Sequence, residues 1–267
     1  MSGRVYLDTT VLADALLKVS SGPGKDALRA ISGSTEVILC QYAIKEFRSG
    51  AFSHFVWTYN KAVECSDWAT FFAACARMAQ TPRKNHTSTA LEALSSGSTT
   101  GKELNLESVR ATLRLIILKA WRGRRKLATS IVGILDCYLE ESELVQLNDK
   151  FELGRLACDA GKPCAAAAQL LVSGDAARLL PIVESQADKR ENTTRSKALQ
   201  EILKNRRPNA HQCRALGDAA IVSYAPSDAT ILTTNSKDLE PLARGLGKKC
   251  ARPNSLVEEK EAGTGRE

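Results

Sequence analysis

Short apolar runs, each closing on a polar residue and each followed by a helical spacing, stand at both ends of the chain. Val5-Tyr6-Leu7 leads into Asp8-Thr9-Thr10 and a helical pattern through Leu16. Glu36-Val37-Ile38-Leu39-Cys40 leads into Gln41-Tyr42-Ala43-Ile44-Lys45-Glu46-Phe47, which places Glu46 in the first turns of a helix. In the second half, residues 216–224 read as an apolar helix with one acid, Asp218, near its start. Residues 229–232 are again strand-like and give way to the polar turn Thr233-Thr234-Asn235-Ser236 and a helix carrying Asp238. Strands alternating with helices predict an α/β fold. A strand that closes on a carboxylate presents it at the carboxyl edge of its sheet, where open α/β sheets bind ligands.

Between these ends the pattern is helical. Over residues 51–78, Phe55, Val56, Tyr59, Ala62, Val63, Trp68, Phe71, Phe72 and Cys75 recur at spacings that bury one helix face. Residues 102–121 repeat the pattern with Leu106, Val109, Leu113, Ile116 and Ile117, and residues 127–147 are expected to resume it. Three shorter helices are predicted over 164–172, 175–186 and 195–204. Breaks fall in the Ser-, Thr- and Gly-rich stretch 81–100 and at Asp159-Ala160-Gly161-Lys162-Pro163. Because the acids on either side must meet, the chain has to leave the sheet and return to it.

The four acidic settings, taken in order, resemble the PIN-domain (VapC-like) family of ribonucleases. Strand, Asp8, Thr9 and Thr10 match the family's opening strand and Asp-Thr-Asn/Ser, and Glu46 matches its glutamate after the second strand. Gly217-Asp218-Ala219-Ala220-Ile221 matches its Gly-Asp-Ala-x-Ile helix, and Thr233 to Leu239 matches its closing turn and acid. The chain departs at Thr10, which keeps a hydroxyl, and at Asn235, where an aspartate is frequent. The resemblance implies a PIN-like parallel-sheet α/β/α core made discontinuously from residues 1–50 and 206–255; the spacings then make 51–205 a large all-helical insertion, and the polar, Gly-containing end 256–267 reads as a disordered tail. The resemblance also implies hydrolysis of phosphodiester bonds, foremost in RNA, leaving a 5′-phosphate and a 3′-hydroxyl, with Mg²⁺ or Mn²⁺ as cofactor. Asp8 and Asp218 are then the main metal ligands and Glu46 a ligand or water-orienting base. Asp238 is an outer or second-metal ligand, a place shared with Asn235, while Thr233 and Asn235 position water or phosphate. Many short members are toxins, so an inhibitor or antitoxin protein is an expected partner, and a homodimer is an expected assembly.

The chemistry gives a reason for so many carboxylates. Mg²⁺ and Mn²⁺ are hard cations that take oxygen ligands, and several anions at one sheet edge repel one another without a cation. Such an ion makes water a better nucleophile and neutralises charge on a phosphate under attack. Each acid also has a plainer role. Asp8 suits a helix N-cap, Glu46 a solvated helix face, and Asp238 the favourable end of a helix dipole. Asp218 interrupts a small apolar helix and needs a partner if buried. Asn235 and the long insertion motivate an alternative, a catalytically weak module that binds nucleic acid or a protein.

Composition adds a partner class. The 267 residues carry 37 basic and 30 acidic side chains, a net charge of +7 and a pI near 9.0. That balance suits an anionic polymer. Arg122, Arg124, Arg125 and Lys126 form the densest basic cluster, and Arg206 and Arg207 form a second one upstream of Asp218. Either can bind nucleic acid or simply close a helix with cations. Eight cysteines without regular spacing, and no signal peptide, point to reduced thiols. Cys40, Cys65, Cys75 and Cys137 sit in apolar runs as core residues, whereas Cys158, Cys164, His211 and Cys213 offer a tetrahedral structural Zn²⁺ site without the usual two-residue gaps. No apolar run has the length of a membrane span and no targeting segment precedes the first strand, so a cytoplasmic protein without a membrane partner is expected.

Overall fold

The computed structural model describes residues 3–79, 88, 90–91, 105–140, 144–154, 156–159, 161–186 and 190–256. The expected break at 81–100 falls largely outside them, as does the expected tail at 256–267 except Leu256, which is helical and packs against a hydrophobic core. The first strand, β1 (Arg4–Leu7), ends at Asp8, whose extended backbone turns the chain into α1 (Thr9–Leu17). α2 (Gly22–Ser32) is capped by the Ser21 hydroxyl and carries Pro23 in its first turn, where a missing N–H costs nothing. β2 (Glu36–Cys40) passes directly into α3 (Gln41–Phe47), and a kink at Gly50 redirects the chain through Arg48–Phe52 into α4 (Ser53–Glu64). Next come α5 (Trp68–Ala79), α6 (Leu106–Lys126) and β3 (Ser130–Val132).

Four short strands follow, β4 (Tyr138–Glu140), β5 (Val145–Leu147), β6 (Lys150–Glu152) and β7 (Leu156–Cys158). They make two antiparallel pairs, β4 with β7 and β5 with β6. Asn148 and Asp149, both at positive φ (47° and 62°), turn β5 into β6, the conformation a two-residue hairpin needs. The chain returns through α7 (Ala165–Val172), α8 (Asp175–Glu184), α9 (Arg190–Leu203), α10 (Ala210–Ala215) and α11 (Gly217–Tyr224). It closes with β8 (Thr230–Leu232), α12 (Ser236–Gly245) and β9 (Lys249–Ala251).

Five strands form one parallel sheet in the order β3-β2-β1-β8-β9. Both faces are covered, which is why its strands read as continuous apolar runs rather than alternating ones. Val5, Leu7, Val37 and Leu39 pack into one core with side chains of α1, α2 and α4 to α6. Tyr6, Ile38, Cys40 and Ile231 point the other way, into a second core with α7 to α9, α11 and α12. The fold is therefore α/β, with helices on both faces.

Two expectations are corrected. Residues 127–147 do not resume a helix but supply β3, β4 and β5. Short apolar runs fit both periods, and Ile131-Val132 and the Asn148-Asp149 turn favour strands here. Nor is 51–205 an all-helical insertion, because β3 is the outer strand of the sheet, with Ile38 opposite Ser130 and Cys40 opposite Val132. Among the described residues no single helix is long and apolar enough to cross a membrane.

Candidate active site at the carboxyl edge of the sheet

From β1 the chain winds outward to β2 and β3, then returns to the other side of β1 as β8 and β9. The winding reverses between β1 and β8, the place where parallel sheets open a crevice at their carboxyl ends. Asp8 follows β1 there and Thr233 follows β8. Asp8 is 3% exposed, and its carboxylate accepts three bonds. Oδ1 takes the Thr9 N–H at 2.6 Å, and Oδ2 takes the hydroxyls of Thr10 and Thr233, each at 2.7 Å. Those hydroxyls in turn accept the N–H groups of Thr234 (3.1 Å) and Asn235 (2.9 Å). The hydroxyl retained at Thr10 is thus a bracket between Asp8 and the turn. Thr233 is fully buried, so its hydroxyl holds Asp8 and does not face a substrate, contrary to the expected role.

Glu46 reaches the same edge from α3. Its Oε2 accepts the Thr9 hydroxyl at 2.8 Å, and its Oε1 lies 2.1 Å from where a Cβ on Gly217 would stand. Only glycine permits that approach without displacing the carboxylate. Burial, with Asp218 and then Asp8 nearby, pushes the Glu46 carboxyl up to about 8 against the relief given by Thr9.

Asp218 is next in the chain after Gly217, in the first turn of α11. The buried Arg195 of α9 donates to its Oδ2 at 2.5 Å and also to the Ala215 carbonyl at 2.7 Å. Burial raises the Asp218 carboxyl to about 6; Arg195 opposes this, while Asp8, Glu191 and Asp238 add to it. Asp238, in the first turn of α12, therefore belongs to the same field. Asn235 caps α12 through its carbonyl, which accepts the N–H of Leu239 at 3.2 Å, and its side chain makes no cap bond.

The fold thus brings Asp8, Glu46, Asp218 and Asp238 to one edge and lets each act on another. Their donor chemistry, hard oxygens with mutual repulsion, suits Mg²⁺ or Mn²⁺. In this arrangement, however, no three acids, histidines or cysteines among the described residues converge as a metal cage, and Arg195 supplies the positive charge at Asp218. Thr9 and Gly217 stood in the motifs without a role of their own, and one functional neighbour, Arg195, escaped the sequence reading. Arg195 comes from a helix whose docking no local pattern announces.

The basic clusters divide. α6 ends at Lys126 and the chain enters the sheet at Thr129, whose N–H bonds to Val37 O at 2.8 Å, near the amino end of β2. Arg122, Arg124, Arg125 and Lys126 therefore lie toward the edge opposite the acids, and Arg124 stacks on Trp121, 3.4 Å from the ring centroid. Arg206 pairs with Glu201 at 3.4 Å, and Arg207 donates to Asp159 O at 2.9 Å. Arg207 also lines a cavity of about 640 Å³, with Lys45, Arg214 and four cysteines. The four candidate zinc ligands, a set that the sequence made possible but did not favour, are not gathered in one pocket: His211 lines a different one with Glu191 and Thr194, and Cys137 joins Cys158, Cys164 and Cys213 instead. The eight cysteines are all free thiols. No family model, curated protein or solved structure matches the chain.

Proposed function

We propose that the protein is a metal-dependent nuclease that hydrolyses phosphodiester bonds, RNA foremost, as its resemblance to PIN-domain ribonucleases implies. One observation carries the reading. Acids from opposite ends of the chain meet at the switch point of the sheet: Thr9 is bonded to both Asp8 and Glu46, and Glu46 Oε1 lies against Gly217, the residue before Asp218. Asp8, Asp218 and Glu46, with Asp238 outside, do not form a closed cage in this arrangement; drawn together on Mg²⁺ or Mn²⁺ they would hold an ion that neutralises their charge and polarises a phosphate oxygen. The side chains divide the remaining work. Thr10 and Thr233 fix the Asp8 carboxylate, and the Thr9 hydroxyl aims Glu46. A cation there would offset the burial and repulsion that raise Glu46 in its absence, leaving a carboxylate able to accept a proton from water. Lys45, which acts on Glu46 and donates to Cys158, and Arg252, which donates to the Ser236 hydroxyl, are two cations near the acids that an anionic strand would meet.

The test compares the protein with an Asp8→Asn variant on RNA and single-stranded DNA, in Mn²⁺, Mg²⁺ or chelator. Cation-dependent cleavage of RNA that is lost in the variant supports the reading. Equal cutting by both proteins, or cutting that survives chelation, sinks it. The Arg195–Asp218 pair favours a second reading, a module that binds nucleic acid or protein without cleaving it, because a guanidinium already compensates the acid. Cation-independent RNA binding without cleavage would select that reading.

A further inference from the structure

The cavity of about 640 Å³ beside α3 gathers Cys137, Cys158, Cys164 and Cys213. Cys137 precedes β4 and Cys158 ends β7, the strand paired with it, while Cys164 is the N-cap of α7 and Cys213 lies in α10. Within this group, the Cys164 and Cys213 thiols line the same cavity wall closely enough to act on one another. Cys164 also sits near the Ala166 and Ala167 N–H groups of the first turn of α7, and the Lys45 ammonium acts on it. The same ammonium donates to Cys158 Sγ at 3.7 Å. The contact between them lowers the Cys164 thiol against burial and raises that of Cys213, and the Lys45 ammonium favours the charged form of both.

A thiolate beside an undissociated second thiol, both lining one cavity, is the arrangement of an attacking and a resolving cysteine. Cys65 and Cys75 lack it, being buried in the other core, and burial raises Cys75 to about 11.

We propose that Cys164 and Cys213 form a peroxide-reactive dithiol that closes to an intramolecular disulfide. The Cys164 thiolate attacks one peroxide oxygen: an S–O bond forms, the O–O bond breaks, and the departing hydroxide takes up a proton as water. Cys213 then attacks the Cys164 sulfur of the sulfenic acid, so that an S–S bond forms, the S–O bond breaks, and a second water carries off the Cys213 proton. The two thiols together give up two electrons to one hydrogen peroxide. The bond would tie the start of α7 to α10, whose Cys213 carbonyl is held by the Tyr42 hydroxyl at 2.7 Å. This chemistry shares Lys45 with the nuclease reading, but its readout, oxidation of the thiols, does not depend on cleavage.

The experiment treats the reduced full chain with equimolar hydrogen peroxide, blocks remaining thiols, and maps the non-reduced digest by mass spectrometry. The expected result is a peptide linking Cys164 to Cys213 and two fewer titratable thiols than the eight of the reduced chain. In a Cys213→Ser variant, dimedone should trap a sulfenic acid at Cys164. A first disulfide that excludes either residue would overturn the proposal, and so would dimedone labelling of the variant elsewhere than at Cys164. Stoichiometric zinc in the purified wild-type protein, lost in Cys164→Ser, would overturn it in favour of a metal site.

Discussion

Thr233 donates its hydroxyl hydrogen to Asp8 Oδ2 at 2.7 Å and so joins the ends of two neighbouring strands that lie 225 residues apart in the chain. The same hydroxyl accepts the Asn235 N–H, so one oxygen serves both the acid and the turn into α12. Thr233→Val keeps the shape but removes both bonds. It should lower stability in urea unfolding by about 1.5–3 kcal/mol, the range for a hydrogen bond to a charged group, whereas Thr233→Ser should recover most of the loss. An unchanged urea midpoint for the valine variant would show that the bond does not hold Asp8.

Arg195 is 3% exposed and bonds to Asp218, Asn192 and the Ala215 carbonyl. Removing one partner of such a pair leaves the other without compensation, so Arg195→Met should cost about 3 kcal/mol. Because Asp218 then loses its reason to be charged, the Arg195→Met, Asp218→Asn double variant should be less destabilised than the two single changes added together. A double-mutant cycle by denaturant unfolding reads the coupling directly. Strict additivity would mean that the pair contributes nothing to the folded state.

Arg195 also marks how far sequence could be read. Continuous apolar runs ending on Asp8, before Gln41 and on Thr233 announced strands buried on both faces, and those strand ends carried the acids to one edge. Two things were not legible. β3 is a run of three residues after a 21-residue helix, too short for its period to be told from a helical one. Arg195 and the thiol cluster depend on how α7, α9 and α10 dock, and docking leaves no spacing in the chain. The basic run ending at Lys126 was legible as a cluster, but its place became clear only with the direction in which β3 enters the sheet.

Glu46 predicts a pH dependence. Its carboxyl is raised from the ordinary 4.5 to about 8 in the fold, so the fold prefers the protonated form. That contribution is fully present below about 4.5 and is lost as pH rises through about 8, and Asp218 acts in the same sense up to about 6. In chelator, thermal stability should therefore fall between these limits. Glu46→Gln should be more stable than wild type above pH 8 by about 1–3 kcal/mol, less than the full difference because solvent reaches a half-buried carboxyl, and no more stable near pH 4.5. Mg²⁺ should restore wild-type stability at the high end and act less on the variant. Parallel stability curves for the two proteins across this range would remove Glu46 from the cluster.

The two basic regions should separate in binding. Arg122→Ala with Lys126→Ala lies toward the amino edge of the sheet and should leave RNA affinity unchanged. Lys45→Ala with Arg252→Ala flanks the acids and should weaken binding across sequences. The slope of log affinity against log salt should fall by about 1–2, corresponding to about two lost phosphate contacts. Fluorescence anisotropy over a salt series measures both quantities. The opposite ranking would place the nucleic acid on the other edge and detach it from the acids.

Gly217 makes the most local prediction. A Cβ added there would stand 2.1 Å from Glu46 Oε1 and 3.3 Å from Tyr42 Cε1, so the side chain that must give way is Glu46. As the far end of a flexible chain it can move, and its movement breaks the 2.8 Å bond from Thr9. Gly217→Ala should therefore reduce cleavage at least tenfold, corresponding to about 1.4 kcal/mol at the barrier, while folding stability changes little. Glu46→Ala removes the obstructing atoms and, with them, the reason for the effect. In that background Gly217→Ala should have no further consequence for activity. If the alanine at 217 still lowers residual cleavage there, its harm comes from the backbone of α11 and not from the displaced carboxylate.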